Sequence, residues 1–262
     1  MAAALAHAYI PPDEDEPPSR SSMSLLEHLE ELRKRLVRAC VAVAVGVAVS
    51  FFFIDRIVAF VFAPMRRALP PGATMIYTAP GEAFGLYVNI ALMAGTVLAS
   101  PFIMFQIWRF IAPALYANEK KLVIPFVTLS SAGVAGGWLF SHYIVFPAMI
   151  TFFGTFHSAD LEFRPRVEDA FDLYTRMLLG MVLVFQMPTL IYFLAKMRLV
   201  TARFLAVNTK YAILIIFIVA AVLTPDGSGW NQALFAAPMI ALYLLGIAIA
   251  WAVAPRSAAG VQ

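Results

Sequence analysis

The sequence predicts an all-α membrane protein with six spanning helices, and three observations carry that reading. Hydrophobic residues make up 61% of the 262 residues and charged residues only 13%, where soluble domains run about 45–50% apolar and about 25% charged. The mean hydropathy is +0.80. Uncharged apolar runs recur along the chain at the length a bilayer requires, about 20 residues for a hydrocarbon core of about 30 Å. A soluble globule of this size has no interior large enough to hide so much apolar side chain.

The elements follow in order. Residues 1–22 contain Pro11-Pro12-Asp13-Glu14-Asp15-Glu16-Pro17-Pro18, a run of prolines and acids without apolar periodicity. Such a segment cannot offset the entropy of ordering and is expected to be disordered. Residues 23–36 are expected to form an amphipathic helix along the membrane surface. Ser24 with Glu27 makes a capping box, and Leu25, Leu29, Leu32 and Leu36 share a stripe. Glu30–Lys34 and Glu31–Arg35 have i,i+4 spacing, each pair worth about 0.2–0.5 kcal/mol. The membrane domain is expected over 37–254, with spans at about 37–62, 83–108, 122–146, 177–195, 211–223 and 234–254, followed by a tail over 255–262. The fifth run is short: thirteen residues at a rise of 1.5 Å reach only about 20 Å.

An even number of spans puts both termini on one side. That side carries Arg20, Arg33, Lys34, Arg35, Arg38, Arg109, Lys120, Lys121, Lys196, Arg198, Arg203, Lys210 and Arg256, thirteen basic residues. The other carries Arg56, Arg66, Arg67, Arg164, Arg166 and Arg176, which are six. The positive-inside bias therefore places both termini in the cytoplasm. The net charge of +3 then reflects topology and anionic lipid, not nucleic acid.

Enzyme chemistry finds no foothold. No phosphate-binding loop, His-Glu-x-x-His pair or nucleophile elbow is present. The single cysteine, Cys40, and four scattered histidines predict neither disulfide nor metal cluster, and no cofactor is expected. Charges inside the runs, the mark of an ion-coupled transporter, are nearly absent. Asp55-Arg56 is expected to self-compensate at a span end, and Asp172–Arg176 to pair on a helix. Gln186, in Phe185-Gln186-Met187-Pro188, is the chief polar residue at depth. A glutamine there bonds a neighbouring helix, a carbonyl freed by the proline, or a partner helix. A small-solute transporter and a structural membrane scaffold stay open as other classes.

Two segments carry acid where the positive-inside rule predicts base. The first is the amphipathic helix with Glu31. The second is Gln106-Ile107-Trp108-Arg109-Phe110-Ile111-Ala112-Pro113-Ala114-Leu115-Tyr116-Ala117-Asn118-Glu119, where one carboxylate follows an aromatic, proline-containing stretch. Closely spaced guanidinium groups suit such a surface, since each can form a forked pair with a carboxylate.

His28-Leu29-Glu30-Glu31-Leu32-Arg33-Lys34-Arg35-Leu36 and Phe110-Ile111-Ala112-Pro113-Ala114-Leu115-Tyr116 with Glu119 strongly resemble the TatC family, the multi-span subunits of the twin-arginine protein translocase. Ala63-Pro64, Val145-Phe146-Pro147 and Leu223-Thr224-Pro225-Asp226 extend the likeness over about residues 25–251. The resemblance implies a cupped, concave six-helix bundle with cytoplasmic termini in the inner membrane of a prokaryote. It implies a receptor for the twin-arginine signal peptides of folded cargo, working with single-span TatA- and TatB-type partners and its own copies, driven by the proton-motive force. It assigns signal binding to Glu31 and Glu119, with Arg33 and Phe110 beside them. Pro64, Pro113, Tyr116, Pro188 and Asp226 match structural or loop motifs. Gln186 stands where the family pattern has a glutamate, so a titratable role there is in doubt.

Overall fold

The computed structural model describes residues 25–69, 74–115, 123–156, 164–224 and 228–253, and these are almost wholly helical. In chain order the helices are α1 (Leu25–Phe52), α2 (Ile54–Val61), α3 (Ala63–Ala68), α4 (Glu82–Leu115), α5 (Val123–Phe140), α6 (Phe146–Gly154), α7 (Val167–Val184), α8 (Met187–Lys196), α9 (Ala202–Val207), α10 (Thr209–Leu223) and α11 (Gly229–Val253). Among the described residues five stretches are long and apolar enough to cross a membrane: Leu26–Phe52, Glu82–Phe110, Val123–Gly154, Val167–Lys196 and Gly229–Val253. The sixth, α10, has only 15 residues, about 22 Å at a rise of 1.5 Å per residue. That is the short fifth run expected from the sequence.

The segment expected as a separate surface helix over 23–36 is, from Leu25 on, continuous with the first span, and the Ser24 of the expected capping box lies outside the described residues. Nothing between Leu29 and Phe52 breaks a helix, because Gly46 is the lone glycine there and proline is absent. The span expected at 37–62 ends instead at Phe52. The chain kinks at Phe53 and resumes as α2 and α3, with Pro64 at the start of α3, where a missing N–H costs nothing. The second span runs on to Leu115, past Pro113. The fourth starts ten residues early, at Val167, because Glu168 and Asp169 sit in its first turn, where acids favour a helix N-terminus. The third passes through one wide π-type turn, Ser141–Val145, before Pro147 opens α6. The terminal segments 1–22 and 255–262 lie outside the described residues, as do Tyr116, Glu119 and Asp226.

The central core gathers Met65, Ile90, Phe146, Met149, Tyr174, Met177 and Phe235, each essentially solvent-free. Outward-facing side chains are apolar as well; Leu183 is 73% and Val222 80% exposed, as lipid-facing positions must be. Two charge expectations fail among the described residues. Asp55 and Arg56 form no ion pair, nor do Asp172 and Arg176. Arg166 is engaged instead, 3.5 Å from Glu82, 3.4 Å from Glu168 and 4.0 Å from Asp169. Glu82 also accepts from the backbone N–H groups of Thr78 (2.9 Å), Ala79 (3.2 Å) and Glu168 (3.4 Å). One buried carboxylate thereby ties the loop before α4 to the start of α7.

Candidate functional site

The site begins with a close helix crossing. α1 and α4 meet backbone to backbone at Gly46 and Gly95: a Cβ at Gly46 would lie 2.4 Å from the Gly95 carbonyl oxygen, and one at Gly95 would lie 2.4 Å from the Val47 nitrogen. Only glycine allows that approach. Further along, Trp108 of α4 packs with Phe126 of α5 and Phe193 of α8, their ring centroids 4.9–5.1 Å apart, which holds the end of α4 in place. The two constraints bring the start of α1 against the end of α4, where His28 stacks on Phe110 with centroids 4.5 Å apart and planes 21° from parallel. The two acid-bearing segments singled out in the sequence are thereby joined.

On α1, Glu31 lies one turn beyond His28, on the same side. Arg35 donates to its Oε1 through Nη2 and, at 3.1 Å, through Nε. Arg35 is buried, and the second oxygen of the carboxylate (Oε2) and the second terminal nitrogen of the guanidinium (Nη1) are both shielded without a hydrogen-bond partner. A buried acceptor in that state costs about 1–3 kcal/mol unless a ligand supplies the donor. Beside it, a cavity of about 310 Å³ is lined by Glu27, Glu30, Glu31 and Lys34. Glu30 pairs with Lys34 at 2.7 Å on the exposed side, where solvent screens the pair and leaves it little weight. Arg33 is exposed and, two residues from Glu31 and Arg35, points to the other side of α1.

Sequence reasoning missed His28 and Glu27 as members of this site. His28 is three residues before Glu31, so its place on the same face was legible; its stacking partner, 82 positions away, was not. Glu119 and Tyr116 lie outside the described residues, as does Asp226. Pro113 lies within the last turns of α4.

Gln186 occupies a different place, at the break between α7 and α8. Its backbone N–H turns to the carbonyl of Leu183 at 3.1 Å, which leaves the Val182 carbonyl without its helical donor. The side-chain Nε2 supplies it at 3.5 Å and also donates across to the Ser130 carbonyl of α5 at 3.2 Å. Gly133 makes room, since a Cβ there would meet the Phe185 carbonyl oxygen at 2.8 Å and Gln186 Nε2 at 3.0 Å. Pro188 follows two residues later in the first turn of α8, at a position where no N–H is needed. The amide nitrogen of Gln186 thus bonds both a neighbouring helix and a freed carbonyl.

Comparison with known proteins bears directly on this arrangement. The family model for the Sec-independent protein translocase protein (TatC) matches residues 27–238. A TatC protein of Koribacter versatilis is 39% identical over 241 residues, covering 90% of this chain and 88% of its own length. One from Helicobacter pylori strain J99 is 39% identical over 231 residues, covering 88% and 90%. A crystal structure of a twin-arginine translocase receptor, TatC, aligns with a TM-score of 0.73 at 32% identity, over 87% of this chain and 99% of that one. Fold and comparisons together define a multi-pass membrane subunit of a protein-export machine. The chain belongs to the TatC family of Sec-independent protein translocase proteins. Its role is protein transport, and its place is in the membrane.

Proposed function

We propose that the chain is the receptor subunit that captures twin-arginine signal peptides of folded cargo at the cytoplasmic face of the inner membrane. Glu31 and Glu119 clasp the two guanidinium groups, while Phe110 shapes the surface beside them and Arg33, on the other side of α1, takes no direct part in the clasp. The stacking of His28 on Phe110 carries this reading, because it sets the Glu31 helix beside the helix end that leads to Glu119. Leu115, where α4 ends, is four residues from Glu119, a reach of at most about 14 Å.

The chemistry follows from the Glu31–Arg35 pair. Arg35 holds Oε1 and so orients the carboxylate, and Oε2 is the acceptor an incoming arginine takes. A hydrogen bond to a charged partner contributes about 1.5–3 kcal/mol when partly desolvated. Lysine, a compact ammonium without the planar fork, gains less from the same oxygens. The apolar part of the signal follows the bundle. Single-span TatA- and TatB-type partners and further copies of the chain complete the passage for cargo, and the proton-motive force drives transport. Both termini face the cytoplasm, in keeping with the thirteen-to-six distribution of basic residues.

The test compares a twin-arginine peptide with its twin-lysine version on the purified protein, and repeats the comparison after Glu31→Gln with Glu119→Gln. Preference for arginine should be clear in the parent and absent in the double variant, with membrane insertion unchanged. Undiminished capture by the double variant would remove the carboxylate account.

A further inference from the structure

α1 and α5 pack on opposite flanks of α4 and leave a crevice between them. It has a volume of about 670 Å³, with Val49, Phe53 and Phe60 on one wall, Val97 on the floor and Ala135 and Trp138 on the other wall. Its lining is mostly apolar, with the small hydroxyls of Ser50, Ser100 and Ser131 among it, and its one charged residue is Arg56 of α2. Arg56 is exposed and forms no ion pair among the described residues, even with Asp55 beside it. Arg66 and Arg67 follow on α3, on the same side of the membrane.

We infer that this crevice binds an anionic glycerophospholipid, with Arg56 on the phosphate and one acyl chain laid along the apolar walls. Depth selects a lipid over a helix. On α4 the crevice runs from Met93 to Pro101, eight steps of 1.5 Å or about 12 Å. That is nearly the thickness of one leaflet, half of a hydrocarbon core of about 30 Å. A partner helix would need a groove along the full span. A helix about 10 Å across would also fill this volume in less than two turns. Charge selects the headgroup. Arg56 leaves α2 just past the end of the first span, at headgroup level on the face opposite the amino terminus, where a guanidinium without a carboxylate partner meets phosphate. The site is independent of Glu31 and of signal binding.

Trp138 lines the crevice and serves as reporter. The full chain is reconstituted in phosphatidylcholine bilayers containing equal fractions of acyl-brominated phosphatidylglycerol or acyl-brominated phosphatidylcholine. The Trp138→Phe variant supplies the blank. Trp138 emission should be quenched preferentially by the brominated phosphatidylglycerol. Arg56→Gln should reduce that preference about fivefold, the weight of one basic side chain near an anionic headgroup. Ala135→Leu fills the crevice from the other wall and should reduce quenching by both lipids while leaving Arg56 in place. Equal quenching by the two lipids, or a preference unchanged in Arg56→Gln, overturns the headgroup assignment. Absence of quenching by either lipid means that protein fills the crevice and overturns the site altogether.

Discussion

Gly46→Ala places a methyl group where α1 and α4 touch backbone to backbone. The new carbon would sit 2.4 Å from the Gly95 carbonyl oxygen and 3.1 Å from its carbon, whereas relaxed carbon contacts lie at about 3.5–4.0 Å. Neither neighbour can rotate away, because both are main chain, so the helices must part by about 1 Å. Overpacking of that kind costs about 1–3 kcal/mol. At about 2–4 °C per kcal/mol, the thermal midpoint of the purified protein should fall by about 2–12 °C. Gly85→Ala supplies the control, since a Cβ there meets nothing within 4 Å; removing backbone freedom from the helix should leave stability equal or raise it by about 0.5–1 kcal/mol. Circular dichroism melts of the two variants in one detergent decide the matter. An unchanged midpoint for Gly46→Ala, or an equal loss for Gly85→Ala, would refute the reasoning.

Three further expectations come from the same geometry. Glu31→Gln leaves the buried Arg35 facing a neutral amide, and losing one charged contact of about 1.5–3 kcal/mol should weaken twin-arginine peptide binding about ten- to a hundredfold in titration. Tyr174→Phe deprives His142 Nδ1 and Trp138 Nε1 of the hydroxyl they share at 3.1 and 3.2 Å; the orphaned groups should cost about 1–3 kcal/mol in a denaturant or thermal melt, and an unchanged midpoint would show that the hydroxyl is dispensable. Gln186→Glu puts a carboxylate against the carbonyl oxygens of Ser130 and Val182, where its protonated form alone can donate as Nε2 does. Its stability relative to the parent should therefore recover as pH falls, and a deficit that does not change with pH would count against the contact.

Much of this protein is written in local pattern. The apolar runs announce the membrane because their length and lack of charge have no other home. The Glu30–Lys34 and Glu31–Arg35 pairs form at the spacing that predicts them, since residues four apart on one helix are neighbours whatever surrounds them. Pro64, Pro147 and Pro188 all stand at helix starts, where the ring removes nothing that was needed. The short α10 is likewise legible from its thirteen apolar residues.

Adjacent charges mislead where tertiary structure intervenes. Asp55 and Arg56 look self-compensating in sequence yet stay apart, leaving Arg56 at the mouth of a crevice. Glu82, in the first turn of α4, gathers donors from Thr78, Ala79, Glu168 and Arg166 that its neighbours in sequence do not announce.

Composition and periodicity alone determined that the chain lives in a bilayer and carries six apolar helical runs, but not where each helix begins and ends. Only the folded molecule decided that His28 meets Phe110, that Gly46 faces Gly95, and that α1 and α5 leave an apolar cleft over α4. Those contacts join residues dozens of positions apart, and their register depends on how ridges of one helix seat in grooves of another. No periodicity within a single helix carries that information.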